Sequence, residues 1–271
     1  MSSETGDQKA APSVEENPTY FELHAYRGAT KHMGGLSATK ELIELCGVGE
    51  DTYVLEVGCG VGATACYMAK RLGCRTLGVD IRPSMIQRAN ERAKTERVQD
   101  KVEFRVADAT DLPFGDATFD VVLVESVTTF IDDRTSAISE YARVVKPGGC
   151  VGLNEEIWLR TPPPQEIVDY AAKTWDIHTE IFTLDRWMIL LGASGLEVTF
   201  TSPRTFQAMT DVSELARYGC RDFLTLLWRT SKLYFTSYAF RQYMMARWRL
   251  PKGLWNYLGY ALLVGRKPAR A

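Results

Sequence analysis

The sequence predicts an α/β protein: a mostly parallel sheet with helices on both faces. Short apolar stretches of strand length alternate with amphipathic stretches of helix length from residue 37 to residue 201, the order expected of a sheet assembled from crossover units. One stretch, Asp120–Glu125 (DVVLVE), is apolar on consecutive residues, as a strand covered on both faces must be. A glycine-rich turn directly after the first strand completes the pattern.

The elements are read in chain order. Ser37–Cys46 has helical spacing of Leu42, Ile43 and Cys46, with Ser37 placed to cap it. Tyr53–Val57 reads as a buried strand, Ala63–Leu72 as a helix and Arg75–Val79 as a second strand. Pro83–Thr95 is a helix with proline in its first turn. Val102–Val106 and Asp120–Glu125 are strands three and four, Thr135–Val145 a helix, and Cys150–Asn154 strand five. Leu184–Gly192 follows as a helix, Leu196–Thr201 as strand six and Tyr257–Arg266 (YLGYALLVGR) as strand seven. Residues 202–256 are too many for a plain connection, so a helical insertion is expected before the last strand.

The chain has 271 residues, 45% of them hydrophobic, enough for a sizeable core. Its net charge of −2 names no partner. No apolar run approaches the ~20 residues that span a bilayer. Met1–Pro18 carries Glu, Asp, Ser and Pro without an apolar core; it reads as a disordered tail rather than a signal peptide, leaving residues 19–271 as a single domain. Cys46, Cys59, Cys66, Cys74, Cys150 and Cys220 form no C-x-x-C pair and read as reduced apolar residues of a cytoplasmic protein, with no metal site.

The first strand runs into Glu56-Val57-Gly58-Cys59-Gly60-Val61-Gly62. Glycines here let the backbone turn and let a ligand approach, and the next helix offers free N–H groups at its start. A nucleotide or a carboxylate suits such a turn. Gly58-x-Gly60-x-x-Ala63 also fits the dinucleotide fingerprint, and a ligand-free strand-to-helix turn would use the same residues. Asp80 ends the second strand, where an acid accepts from both ribose hydroxyls; this indicates a nucleoside without saying which. Asp108-Ala109 follows the third strand, where an acid accepts from an exocyclic adenine amine. Glu125 ends the fourth strand, and Lys146-Pro147-Gly148-Gly149 turns into the fifth.

Taken together, VLEVGCGVG, GVD, ADATDLPF, FDVVLVES and VVKPGG closely resemble the class I S-adenosylmethionine-dependent methyltransferases, in that family's order and spacing. The resemblance covers residues 37–155, and YALLVGRKP fits the family's last strand. It is nearest to the small-molecule branch that includes ubiquinone/menaquinone, tocopherol and sterol methyltransferases. It implies a Rossmann-like seven-stranded, mostly parallel sheet whose last strand is antiparallel. S-adenosyl-L-methionine is the implied cofactor. Gly58, Gly60 and Gly62, with Cys59 between them, would line its methionine part, and Glu56 would orient the loop or the cofactor amine. Asp80 would hold the ribose, with Ile81 on the adenine, and Met85 would also bind the cofactor; Asp108 and Ala109 would meet the adenine edge; Glu125 and Ser126 would stand at the methionine end.

A sulfonium is an intrinsically strong methyl donor, so such an enzyme mainly aligns the acceptor and excludes water, and a general base serves only some nucleophiles. Two catalytic candidates stand out. Glu125 matches in position an acid of sterol and tocopherol methyltransferases, although binding the cofactor alone would explain it. His32, in Lys31-His32-Met33-Gly34-Gly35, precedes the first helix and could act as a base; a surface or capping role is the plainer reading. His24, His178, Tyr20 and Tyr26 carry less weight.

The acceptor is expected at two variable regions. Residues 157–182 (IWLRTPPPQEIVDYAAKTWDIHTEIF) occupy the family's usual lid position, with Trp158, Tyr170 and Trp175 able to wall an apolar pocket. Residues 203–255 form the insertion. From Trp228 onward the chain carries basic and aromatic residues and no Asp or Glu. That composition suits a small-molecule or amphipathic lipid-like acceptor, a peripheral membrane contact through residues 228–257, or an inward-packed helical subdomain with solvated arginines. Nucleic acid uses the same residue types, but the overall charge opposes it. A nicotinamide-dependent reductase and a non-catalytic cofactor-binding partner protein are the rival functions; the first leaves Asp108 and the Pro-Gly-Gly turn unexplained, and the second would be expected to lose cofactor residues that are all present here.

Overall fold

In the computed structural model, Phe21 and residues 32–206, 220–248 and 250–269 are described. The tail 1–18, Tyr20, His24 and Tyr26 lie outside these residues, as do positions 207–219 and 249 of the insertion.

Seven strands form one sheet. They are β1 (Tyr53–Val57), β2 (Arg75–Asp80), β3 (Val102–Val106), β4 (Phe119–Glu125), β5 (Val145–Trp158), β6 (Glu197–Thr205) and β7 (Leu258–Arg266). Their order is β3-β2-β1-β4-β5-β7-β6. The first five are parallel, and β7 runs antiparallel between β5 and β6. Helices α1 (Gly35–Leu45), α2 (Ala63–Leu72), α3 (Pro83–Glu96), α4 (Arg134–Val144), α5 (Gln165–Trp175) and α6 (Leu184–Ala193) come with the sheet, and α7 (Cys220–Thr236), α8 (Tyr238–Trp248) and the single turn α9 (Leu254–Tyr257) precede β7.

The strands bury both faces. On β4, Val122 and Val124 join Ile138, Tyr141 and Trp187 on one side. Val121 and Leu123 join Leu42, Ile43 and Met68 on the other. This is why DVVLVE lacks polar alternation.

The structure moves several boundaries. α1 begins at Gly35 rather than after Ser37, because Gly34 (φ 76°) turns the chain into the helix in place of a side-chain cap. β5 continues to Trp158 because antiparallel pairing with β7 runs on to Trp158–Leu258. The Pro-Gly-Gly segment is a bulge at the start of β5, where the register shifts between Phe119 and Val121. β6 extends to Thr205 along β7, and Tyr257 belongs to the helical turn that Gly253 (φ 72°) opens.

The chain leaves β1 toward β2 and β3, then returns to pair β4 with β1. The crevice at the carboxyl ends of β1 and β4 is therefore the topological switch point, where open α/β sheets bind ligands.

Candidate active site

A cavity of about 570 Å³ opens at that switch point. Its wall contains Glu56, Gly58, Cys59, Gly60, Asp80, Ile81, Met85, Asp108, Ala109, Glu125, Ser126 and His32. Every site residue expected from sequence is there except Gly62. Gly62 (φ 72°) is the cap of α2, and a Cβ on it would stand 2.7 Å from Phe104 Cζ and 2.9 Å from Ala89 Cβ. Its role is to let α2 pack on α3 and β3.

The glycine loop is held in place by an acid. Asp80 Oδ2 accepts from the Gly60 N–H at 3.0 Å, and Oδ1 accepts from the Arg82 N–H at 2.9 Å. Burial raises the Asp80 carboxyl above its ordinary range, against those two N–H bonds and the Arg82 charge. Each oxygen keeps a second lone pair for a ligand. Gly58 (φ 67°) faces Val127, whose Cγ2 would lie 2.2 Å from an added Cβ, so no larger residue fits. Burial also pushes the Cys59 thiol well above its usual range, so Cys59 is an uncharged wall atom rather than a nucleophile.

At the other end of the crevice, Glu125 Oε2 accepts from the Thr39 hydroxyl at 2.8 Å, and Oε1 from the Thr64 hydroxyl at 3.3 Å. Asn154 Nδ2 lies 3.5 Å from Oε2 and donates to the Met33 carbonyl at 2.9 Å. His32, buried, places Nδ1 3.4 Å from Glu125 Oε2 and Nε2 3.3 Å from the Thr39 hydroxyl. Ser126 follows with a left-handed backbone (φ 53°), a strained conformation for a non-glycine residue, and its N–H donates to the Asn154 carbonyl at 2.6 Å.

The segment after Ser126 is clamped from both sides. Buried Glu155 accepts from the Thr128 and Thr129 N–H groups at 2.9 and 3.0 Å. Buried Arg134 donates to the carbonyls of Thr128, Thr129 and Ile131, and its guanidinium lies 4.2 Å from the Phe182 ring centroid. Val127, Phe130 and Ile131, thus fixed, complete the wall, and Phe21 packs edge-on to Phe130 with Arg82 over its other side.

Sequence reasoning missed Thr39, Thr64 and Asn154. The two threonines lie inside helices and the asparagine inside a strand, so nothing local marks them. It also missed Asp132, Asp133 and Asp176 of the wall. His178 bonds Asp176 at 2.9 Å with its side chain 72% exposed, away from the His32–Glu125 pair.

The wall suits a cationic nucleoside. It has glycine backbone along one side with the Asp80 carboxylate beside it and acids at both ends, and Arg82 is its sole fixed cation among the described residues. The volume is that of an ordinary small-molecule site.

The family model of the methyltransferase domain matches residues 55–153. An uncharacterized protein of Haemophilus influenzae is 33% identical over 181 residues, covering 63% of this chain and 72% of that one. The erythromycin 3''-O-methyltransferase of Saccharopolyspora erythraea is 38% identical over 46% of this chain and 41% of its own length. In fold, the [4+2]-cyclase SpnF superposes with a TM-score of 0.71 at 19% identity, over 96% of this chain and all of that one. The chain belongs to the class I S-adenosylmethionine-dependent methyltransferases. Its methyltransferase domain makes it an enzyme whose cofactor is S-adenosylmethionine.

Proposed function

We propose that the enzyme methylates an amphipathic small molecule at an atom whose proton His32 removes, with Glu125 holding the imidazole. The carrying observation is the 3.4 Å approach of His32 Nδ1 to Glu125 Oε2 on the cavity wall. When bound, S-adenosylmethionine supplies a methyl group on a sulfonium, which needs an in-line nucleophile and a dry site. With Nδ1–H directed at Glu125, Nε2 is the accepting nitrogen, because the Thr39 hydroxyl gives its proton to Glu125. A proton taken up at Nε2 then points at the Thr39 oxygen, so the doubly protonated ring keeps its contacts with both Glu125 and Thr39. The assignment of His32 protons follows from this network.

In this reading Gly58, Gly60 and Cys59 receive the methionine part and Glu56 its amine. Asp80 takes the ribose hydroxyls, Ile81 and Met85 flank the adenine, Asp108 and Ala109 meet its edge, and Ser126 closes the methionine end. Residues 157–182 act as the lid. Asp176 on the cavity wall directly follows Trp175, which packs edge-on to Tyr170 and 6.0 Å from Trp255, itself stacked on Phe206 at 4.2 Å. This aromatic group beside the cavity supports an acceptor with an apolar portion. The buried free thiols Cys46, Cys59, Cys66, Cys74 and Cys150 support a reducing, cytoplasmic setting.

Calorimetric titration with S-adenosylmethionine, S-adenosylhomocysteine and NAD tests the cofactor site. The first two are expected to bind and NAD not to. Asp80→Ala is expected to weaken the first two by about 10–100-fold, the worth of hydrogen bonds to a charged group. Preference for NAD would sink the proposal. A subsequent screen of quinol, sterol-like, phenolic and amine acceptors with wild type and His32→Ala locates the acceptor class.

A further inference from the structure

α7 and the start of α8 carry an apolar stripe that faces outward. Leu224, Leu227, Trp228, Tyr234, Phe235 and Tyr238 recur at helical spacing and are exposed, Trp228 by 62% and Phe235 by 80%. The inward face is separate: Leu226, Leu233 and Phe240 are buried. The helix is therefore amphipathic twice over, with one apolar stripe serving the core and a second serving nothing in the chain among the described residues. An exposed patch of this kind marks an interaction surface.

Its charge is one-sided. The Lys232 ammonium lies 5.5 Å from the Trp228 ring centroid, and the Arg241 guanidinium 5.8 Å from that of Tyr238. Arg241 also donates to the Tyr234 carbonyl at 2.9 Å, which keeps its charge against the stripe. After Asp222 no acidic residue occurs in the sequence. A second copy of this chain is a poor occupant, because a two-fold contact would set this basic face against itself. A surface that is apolar inside and anionic at its boundary is complementary: rings and leucines enter the headgroup–acyl boundary while the cations remain with the phosphates.

We infer that the outward face of residues 224–241 docks the enzyme on an anionic lipid bilayer, lying in the interface. No described helix is long and apolar enough to cross a membrane, so the contact is peripheral. The inference rests on this surface alone, and it agrees with an amphipathic acceptor without requiring one.

The test is co-sedimentation of the full chain with vesicles of phosphatidylcholine alone and of phosphatidylcholine mixed with phosphatidylglycerol. Binding is expected to the mixed vesicles, falling with added salt. Trp228→Ser combined with Phe235→Ser is expected to abolish it, and Lys232→Gln to weaken it about fivefold, the worth of one surface cation. Retained S-adenosylmethionine binding by these variants would show that they fold. Failure to bind mixed vesicles, equal binding by wild type and the double variant, or a dimer in solution that the double variant dissolves would each overturn the inference, and none of these bears on the cofactor site.

Discussion

The His32 imidazole and the Glu125 carboxylate meet at 3.4 Å, one from the segment entering α1 and the other from the end of β4. Thr39 bridges them, reaching 2.8 Å to Glu125 Oε2 and 3.3 Å to His32 Nε2. This makes the pair one unit with a shared hydroxyl rather than two neighbouring residues.

Replacement of His32 by Ala should therefore lower kcat by about 10²–10⁴-fold while leaving S-adenosylmethionine affinity within a few-fold, as removal of a general base does. Glu125→Gln should lower kcat as well, and the double variant should cost little more than His32→Ala alone, because the residues act together. Steady-state kinetics on an identified acceptor, with calorimetric cofactor binding, check this. Additive losses would show that the two work separately.

Gly58 and Gly62 should part company on substitution. Gly58→Ala drives a Cβ into Val127 on the cavity wall and should weaken cofactor binding by about tenfold or more, the scale of roughly 1–3 kcal/mol of local strain. Gly62→Ala collides with Phe104 and Ala89, away from the wall, and should lower stability by about 1–3 kcal/mol. Calorimetry and urea unfolding on both variants separate the two effects.

Glu156 should shape the acid side of the stability profile. Its carboxyl is almost fully buried, and burial, reinforced by the charge of Glu155, pushes its pKa up to about 7 from the usual 4.5. The folded chain holds a proton there that the unfolded chain releases between those values, so stability falls as pH rises from about 4.5 to 7. Glu156→Gln should flatten that part of the curve, gaining on the order of 2–3 kcal/mol on wild type between pH 4.5 and pH 8. Urea unfolding across this range gives the difference; parallel curves would show that Glu156 titrates normally.

Arg134→Met should cost about 2–4 kcal/mol and weaken cofactor binding together. The variant keeps apolar bulk beside Phe182 and Trp187 but loses the donors to the Thr128, Thr129 and Ile131 carbonyls. Those carbonyls belong to the segment that closes the cavity. Denaturant midpoints and cofactor titration measure both effects, and a stability loss with unchanged affinity would mean that the segment holds its shape without the clamp.

Local pattern and order by themselves determined the α/β class, the seven strands and most of the residues that line the cavity, and the motifs' resemblance to a family implied the cofactor; these depend on features that recur along the chain: apolar runs of strand length, glycines where backbone must turn, acids at strand ends. Gly58, Asp80 and Asp108 were legible for that reason. What only the tertiary structure decided is what depends on residues distant in sequence meeting across the sheet. β5 reaches Trp158 because β7 pairs with it. Gly62 serves helix packing because Phe104 and Ala89 crowd it. Thr39, Thr64 and Asn154 join Glu125 because α1, α2 and β5 converge on the end of β4. A threonine in a helix looks the same in sequence whether its hydroxyl returns to its own backbone or bridges a histidine and a carboxylate, and only the packing of the helix on the sheet makes that choice.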